Sequence, residues 1–505
     1  MKIHFSSKDD CLEHSENKTQ TNPRYKDFTQ HFFTIGDNQQ ANEHLLNKVF
    51  SAQKYIAKKS KQKSDFTNTK LKKYDKDLLK LKFYKNFNNN SVKNTFKYLF
   101  ENISTGIYVQ IKSNKISEFI PFYNMHVKNY YKDYLKLHPK YNNNPIKMTK
   151  DRAYHNHRRF YADNTIMDRS KWIATNCFLY LEKGRKIQDT NYTQIYHMLS
   201  ELIKKYKVPD CEFFINRKDT AVITKKLTEP YFHIFGEKTP LRRNKFNSYA
   251  PIFSYSAPSD NADILFPTPD DWEIVTKKIF PHSCRDTYLN NFVKVKWEDK
   301  KPTAFFRGGA TGCGVHIFNN SRLKAAHLSH MWENDGNYNN NNKIDGIKFL
   351  DAGITAFNPR YKKYIDRKYI EFIKPNNLDF KKASFFPMIE QTKYKYILDI
   401  DGNVSAYRLG FILSSGSVIL KVESIYNIWF SHLLEPWKHY VPVKSDLSDL
   451  DKQITWCKKN DAKCKKIADN AMKFADKYIT KDFILEYLYF TLCELNKIQS
   501  SANII

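Results

Sequence analysis

At 505 residues, with 41% hydrophobic and 15% aromatic content, the chain carries enough apolar mass for two or three cores and is excluded from the wholly disordered class. Lys and Arg number 83 against 53 Asp and Glu, a formal charge of +30 that attracts polyanions. The lysines are spread along the whole chain among asparagines, however, which argues against a dedicated nucleic-acid face. No run approaches the ~20 apolar residues of a membrane span, and the opening MKIHFSSKDDCLEHSENK lacks the apolar core of a signal peptide.

From the amino terminus, residues 1–100 are polar and rich in Lys and Asn. Within them, helical spacing through Leu45, Leu46, Val49 and Phe50, then Leu71, Leu78, Leu79 and Leu81, predicts an amphipathic extension. Asparagine tracts at 88–90, 142–144 and 339–342 predict loops. The pattern changes near residue 170. Cys177–Leu181 reads as a strand, Tyr192–Tyr206 as an amphipathic helix, Cys211–Asn216 as a strand, and Ala250–Tyr255 as another strand before the Pro-rich LFPTPDDW. A second set begins near Lys300: strand Thr303–Phe306 feeding a glycine-rich turn, helix Ser321–Asn334, strand Tyr396–Leu398, a polar turn with a short helix, and strand Val418–Leu420. Ser445 reads as an N-cap, followed at helical spacing by Leu447, Leu450, Ile454 and Cys457. Two successive strand/helix sets predict an α/β chain of two Rossmann-like domains with a cleft between them. The boundaries that follow are a helical extension over 1–100, one domain over 101–295, a second over 296–445, and closing helices over 446–505.

The eight cysteines, at 11, 177, 211, 284, 313, 457, 464 and 493, form no CxxC pair and no Cys/His zinc spacing. Buried, reduced thiols are expected, which points to a cytosolic compartment.

Several constellations could carry chemistry. Phe305 to Gly314 is an apolar strand feeding Gly308, Gly309, Gly312 and Gly314, a candidate phosphate cradle in which Thr311 also lies. It is neither the dinucleotide GxGxxG nor a P-loop; Arg307 strengthens it, because a guanidinium can hold two phosphate oxygens at once. The turn Asp401–Arg408 places a second arginine near a presumed helix start. Asp399-Ile400-Asp401 also reads as a DxD pair able to bind Mn²⁺ or Mg²⁺. A proton acceptor is suggested by Asp219, at the end of the apolar strand in FFINRKD. An aspartate at its ordinary pKa of about 3.9 is ionised at neutral pH. Asp263, Asp270, Asp271, His282, His316 and His439 compete for that role.

In order along residues 170–480, PDCEFFINRKD, APIFSYS…DILFPTPDDW, TAFFRGG, YKYILDIDGNVSAYRLGFILSSGSVILK and LEPWKHYVPVKSDLSDL resemble the capsule-associated-protein (CAP-type) glycosyltransferases, which include the protein O-glucosyltransferases. The resemblance implies the two-domain GT-B fold, with an acceptor-side domain followed by a nucleotide-sugar-binding domain. It implies inverting transfer of glucose or xylose from a UDP-sugar to a hydroxyl of a protein Ser/Thr or a glycan, with no cofactor required and no metal. The family's catalytic aspartate matches Asp219 in the segment Asn216–Asp219. Arg307 and Arg408 match the arginines that hold the diphosphate, with Gly308, Gly309 and Thr311 beside them. Ser405, the Ser415-Gly416-Ser417 turn and Trp437 fall where the family closes its nucleotide pocket. Gly309 stands where many relatives have Ser, residues 1–100 have no counterpart, and the absence of a secretory signal leaves the acceptor open. The composition resembles that of a large DNA virus or an AT-rich protist. The alternative reading is a non-catalytic relative, a sugar-binding or virion structural protein.

Overall fold

A computed structural model of the chain describes residues 84, 87–88, 90–99, 105–123, 172–175, 178–181, 190–219, 249–259, 261–277, 295–312, 314, 316–334, 348–357, 364–366, 369–370 and 373–501. The amphipathic segment expected over 42–82, the asparagine tracts at 142–144 and 339–342, Cys177, His282 and Cys313 lie outside the described residues. The described residues fall into two compact units, one built from those before 273 together with those from 482 onward, the other from 273 to 481.

The first unit is organised on a five-stranded sheet, with β1 Thr105–Lys112, β2 Lys115–Tyr123, β3 Cys211–Ile215, β4 Ile252–Ser254 and β5 Ile264–Leu265 in the order β2-β1-β3-β4-β5. β3 reads CEFFI and is buried at every position. Neighbours on both sides and cover on both faces explain why an unbroken apolar run, rather than an alternating one, forms this strand. The sheet is mixed: β1 pairs antiparallel with β2 and β3, while β3, β4 and β5 run parallel. The antiparallel β1–β2 edge is a departure from the Rossmann-like first domain expected. The β1–β2 hairpin lies outside the predicted elements. Its turn residues Ser113 and Asn114 both take positive φ, 48° and 57°, as a two-residue hairpin turn of the primed type requires. A separate hairpin joins Trp172–Thr175 to Phe178–Leu181.

Among the described residues this unit holds α1 Ser91–Tyr98, α2 Thr190–Lys205 and, from the far end of the chain, the helix Lys481–Ser501. Helix α2 buries Ile195, Met198, Leu199 and Leu202, a stripe at helical spacing. The C-terminal helix reaches across the sheet. Gln499 accepts from the Glu212 N–H (3.1 Å) and donates to its carbonyl (2.6 Å), Asn496 donates to the Asp210 carbonyl (2.7 Å), and Tyr487 donates to the Leu265 carbonyl (2.6 Å). Helix α3, Pro269–Thr276, follows β5.

The second unit carries an all-parallel sheet of β6 Lys301–Gly309, β7 Leu350–Ala356, β8 Tyr394–Asp399, β9 Val418–Val422 and β10 Val441–Val443, in the order β7-β6-β8-β9-β10. Helix α4, Ser321–Asn334, connects β6 to β7, and the single turn and a half of α5, Leu409–Leu413, precedes β9. Helices α6 Leu450–Lys459 and α7 Asp461–Tyr478 follow, so the C-terminal helix of the first unit is α8. Ala304, Phe306, Tyr396, Leu398, Leu420 and Val441 form one face of the core with Leu323, Ala325 and Ala326 of α4. In chain order within this sheet the strands stand 2-1-3-4-5, so the order reverses between β6 and β8. At such a switch point the neighbouring connections leave in opposite directions, and a crevice opens outside the carboxyl ends of the two strands.

Two local expectations change. β6 continues through Gly308 and Gly309, so the turn starts at Ala310 rather than at the first glycine. The helix expected from Ser445 starts at Leu450. A turn intervenes because Leu447 takes a φ of 60° and is buried, while Asp449 accepts the Lys444 N–H at 2.9 Å.

Candidate active site

Two turns frame the crevice, one after β6 beginning at Ala310 and one after β8 running from Ile400 to Tyr407. They are held together by a residue outside every quoted motif. Arg322, in the first turn of α4 and 7% exposed, donates through Nε to the Asp401 carbonyl (2.9 Å) and through Nη2 to the Ile400 carbonyl (2.9 Å). Its Nη1 donates to the Gly309 carbonyl (3.1 Å) and to Thr311 Oγ1 (2.7 Å). One planar fork thus joins both turns. A further tie is the Gly312 N–H, which donates to Asn403 Oδ1 at 3.1 Å.

Arg408 closes the crevice from the β8 side. Its Nη1 donates to the Arg307 carbonyl at 2.9 Å. The guanidinium carbons of Arg408 and Arg322 lie 5.4 Å and 5.6 Å from the centre of the Phe306 ring, inside cation–π range. Two cations therefore gather over one aromatic floor at the sheet's carboxyl edge. The glycines make that approach possible. A Cβ on Gly308 would stand 3.0 Å from Phe306 Cζ, 3.2 Å from Arg408 Nη2 and 3.4 Å from Arg322 Nη1. One on Gly402 would meet Thr311 Oγ1 at 2.7 Å and Arg322 Nη2 at 3.1 Å.

Arg307 is engaged differently from the expectation. Its Nη1 donates to the Phe306 and Asp351 carbonyls, both at 2.9 Å, and its Nη2 pairs with Asp351 Oδ1 at 2.7 Å. The side chain lies back over the Phe305 ring at 4.6 Å, so Nε and one Nη2 hydrogen are what it can offer an anion.

Asp399 and Asp401 are differently engaged. Asp401 accepts the Ser424 hydroxyl, and burial raises its pKa while that bond opposes the rise. Asp399 is 5% exposed, and its Oδ1 has no hydrogen-bond partner. Burial pushes its carboxyl up to about 6, with Lys421 pulling down, Asp401 pushing up, and Arg408 and Arg322 also pulling down. Among the described residues no group of three or more His, Cys, Asp or Glu side chains is placed to hold a metal ion.

The structure gathers Arg307, Gly308, Gly309, Thr311, Ser405 and Arg408 around this edge. The Ser415-Gly416-Ser417 turn and Trp437 lie elsewhere in this unit. Ser415 to Ser417 immediately precede β9 and so lie at the amino edge. There buried Lys300 donates to the Ser415 carbonyl (3.0 Å), to Ser417 Oγ (3.1 Å) and to the Thr392 carbonyl. Trp437 precedes β10 and packs on Trp456 of α6 with ring centroids 4.9 Å apart.

In the first unit, Asp219 is half-buried just past the carboxyl end of β3. Its neighbour Lys218 is pushed down to about 8 by burial, with the Asp219 carboxylate opposing and Arg217 adding to the fall. The competitors have other duties. Asp271 accepts the Thr268 hydroxyl (2.8 Å) and donates its N–H back to that oxygen (3.0 Å), a cap for α3 with Pro269 at the first helical position. His439 accepts the Glu435 N–H at 2.9 Å and packs on Phe474, and His316 stacks on Phe318. Asp263 is fully buried and accepts the Ser254 hydroxyl at 2.6 Å.

The sequence pattern of glycosyl transferase family 90 matches residues 170–503. The chain is 35% identical over 531 aligned residues to protein 179R of Invertebrate iridescent virus 6, covering 95% of this chain and 43% of that protein. It is 31% identical over 291 residues to protein O-glucosyltransferase 2 of Danio rerio, 58% of this chain and 48% of the relative. Human protein O-glucosyltransferase 3 is 29% identical over 304 residues, 60% of this chain and 50% of the relative. The chain spans half or less of the length of these relatives.

Two outcomes follow from the crevice itself. Arg322→Lys keeps the charge but cannot reach acceptors on both turns, and is expected to cost about 2–4 kcal/mol in denaturant unfolding. Asp399 holds its proton more tightly folded than unfolded, so its contribution to stability falls as pH rises from about 4 to about 6. Asp399→Asn should therefore stabilise the protein at pH 7.5 by up to about 3 kcal/mol, a gain that vanishes in thermal unfolding below pH 4.

Proposed function

Because the chain belongs to glycosyltransferase family 90, we propose that it transfers a hexose or pentose, glucose or xylose, from a UDP-sugar to a hydroxyl of a protein Ser/Thr or a glycan, with inversion. The observation that carries this reading is the pair of guanidiniums, Arg408 and Arg322, set against Gly308 at the switch point of a parallel sheet. A diphosphate is the ligand that such a place suits, since it brings charge that two fixed cations offset and needs the close backbone approach that Gly308 permits.

In this reading the acceptor hydroxyl gives its proton to the Asp219 carboxylate as its oxygen attacks the anomeric carbon. The bond from that carbon to the diphosphate oxygen breaks, and UDP leaves. Negative charge grows on the leaving oxygen, and Arg408 is fixed to meet it without reorganising, because the Arg307 carbonyl already holds one of its nitrogens. Arg307 adds its two remaining donors. Lys218 lies beside Asp219, whose carboxylate supports the positive charge of the ammonium against burial. No step needs a metal. The GT-B arrangement, with Asp219 on the acceptor side and the arginines on the donor side, belongs to the same reading. So does action in the cytosol, where the buried thiols of Cys211, Cys457, Cys464 and Cys493 stay reduced.

The test is UDP release by the purified protein with a panel of UDP-sugars, with and without EDTA. Turnover with one sugar that survives EDTA is expected, falling at least 100-fold in both Arg408→Ala and Asp219→Asn. UDP affinity should fall in Arg408→Ala and persist in Asp219→Asn. Absence of both UDP release and UDP binding at millimolar concentration would overturn the reading in favour of a non-catalytic sugar-binding or structural protein.

A further inference from the structure

Three polar side chains with no exposed surface are joined across the parallel strands: Asn216 just past the carboxyl end of β3, Ser254 at the carboxyl end of β4, and Asp263 just before β5. Polar groups removed from water at this depth cost stability unless their bonding is complete, so their arrangement is informative. Ser254 donates its hydroxyl to Asp263 Oδ1 at 2.6 Å. As a carboxylate Asp263 can only accept, so the Ser254 proton is committed to it and the Ser254 oxygen faces Asn216 as an acceptor. The Asn216 amide nitrogen fills that place, donating to Ser254 Oγ at 3.0 Å and to the Lys218 carbonyl at 3.3 Å. The amide is thereby fixed one way round. Its Oδ1 is left to accept the Lys218 N–H, which it does at 2.8 Å. The result is a short turn over 216–218 that delivers Asp219 directly after the end of β3.

We infer that Asp263 and Ser254 are positioning residues that act through Asn216 to set the direction of the Asp219 carboxylate toward the acceptor hydroxyl. The inference rests on the reading of Asp219 as the base. The chain of bonds gives the Asp263 carboxylate, which has no exposure of its own, a role as the acceptor that orients the Ser254 hydroxyl. Asp263 is a poor candidate for the base itself, since its Oδ1 is occupied by Ser254 and it has no exposed surface with which to meet an acceptor hydroxyl.

The experiment compares Ser254→Ala, Asp263→Ala and Asp263→Asn with Asp219→Asn, measuring kcat, the KM for the UDP-sugar, UDP affinity, and hydrogen exchange at the Lys218 amide. Ser254→Ala and Asp263→Ala should lose 10- to 100-fold in kcat, with KM and UDP affinity within twofold of wild type. Exchange at Lys218 should quicken several-fold in both. Asp263→Asn keeps a carbonyl acceptor for Ser254 and should stay within about threefold of wild-type kcat. Unchanged kcat in Ser254→Ala beside an inactive Asp219→Asn would overturn the relay alone. Wild-type turnover in Asp219→Asn would instead remove the base on which it rests. Loss of UDP affinity in step with kcat would mark a merely structural role and also overturn the relay. If Asp263→Ala fails to fold, Ser254→Ala, which deletes one oxygen and leaves the carboxylate, decides.

Discussion

The grip of Arg322 on two turns is the constraint around which the second unit's crevice is built. Turns at the carboxyl edge of a parallel sheet have no strand ladder to hold them, and their carbonyls would otherwise depend on water. Arg322 spends four N–H groups on them, three on carbonyls and one on the Thr311 hydroxyl. Because a guanidinium is planar and always charged, the same residue that ties the turns together also leaves a positive field at their meeting point. Support and electrostatics therefore come from one side chain, and Arg408 adds to a place already prepared.

The two edges of this sheet are held by different cations for different ends. Lys300 fastens the amino edge by joining the Thr392 carbonyl to the Ser415-Ser417 turn, and it is buried to do so. The carboxyl edge keeps its glycines and its half-buried arginine. The difference fits the topology, because the connections that diverge at the switch point leave from the carboxyl ends of the strands.

Much of this was legible in the residues. Helix α4 was readable from end to end, and the apolar runs of β3, β8 and β9 fell within two residues of their limits. The β1–β2 hairpin was passed over because its strands alternate rather than run apolar, although Ser113-Asn114 is a turn signal. Arg322 had a signal too. With Ala325, Ala326 and Ser329 it occupies the buried stripe of α4, and an arginine in such a stripe must have partners. The edge on which Ser415 to Ser417 lie was not legible from the family resemblance, which orders segments along the chain without saying which end of a strand each one caps. Residues that directly precede a parallel strand must lie at its amino edge. The bonding of Asn216, Ser254 and Asp263 was beyond reach, since nothing in sequence joins side chains 38 and 9 positions apart.

The embrace of β3 by α8 has a consequence for synthesis. Gln499 closes on Glu212 across 287 residues of chain, so the first sheet lacks this cover until the whole of the second unit has been made. The second unit needs nothing beyond residue 481. Domains made first usually fold first as the chain emerges; here the order is inverted, and the unit begun earliest is the last to be completed. During that interval its apolar central strand has to be shielded by something other than its own helix.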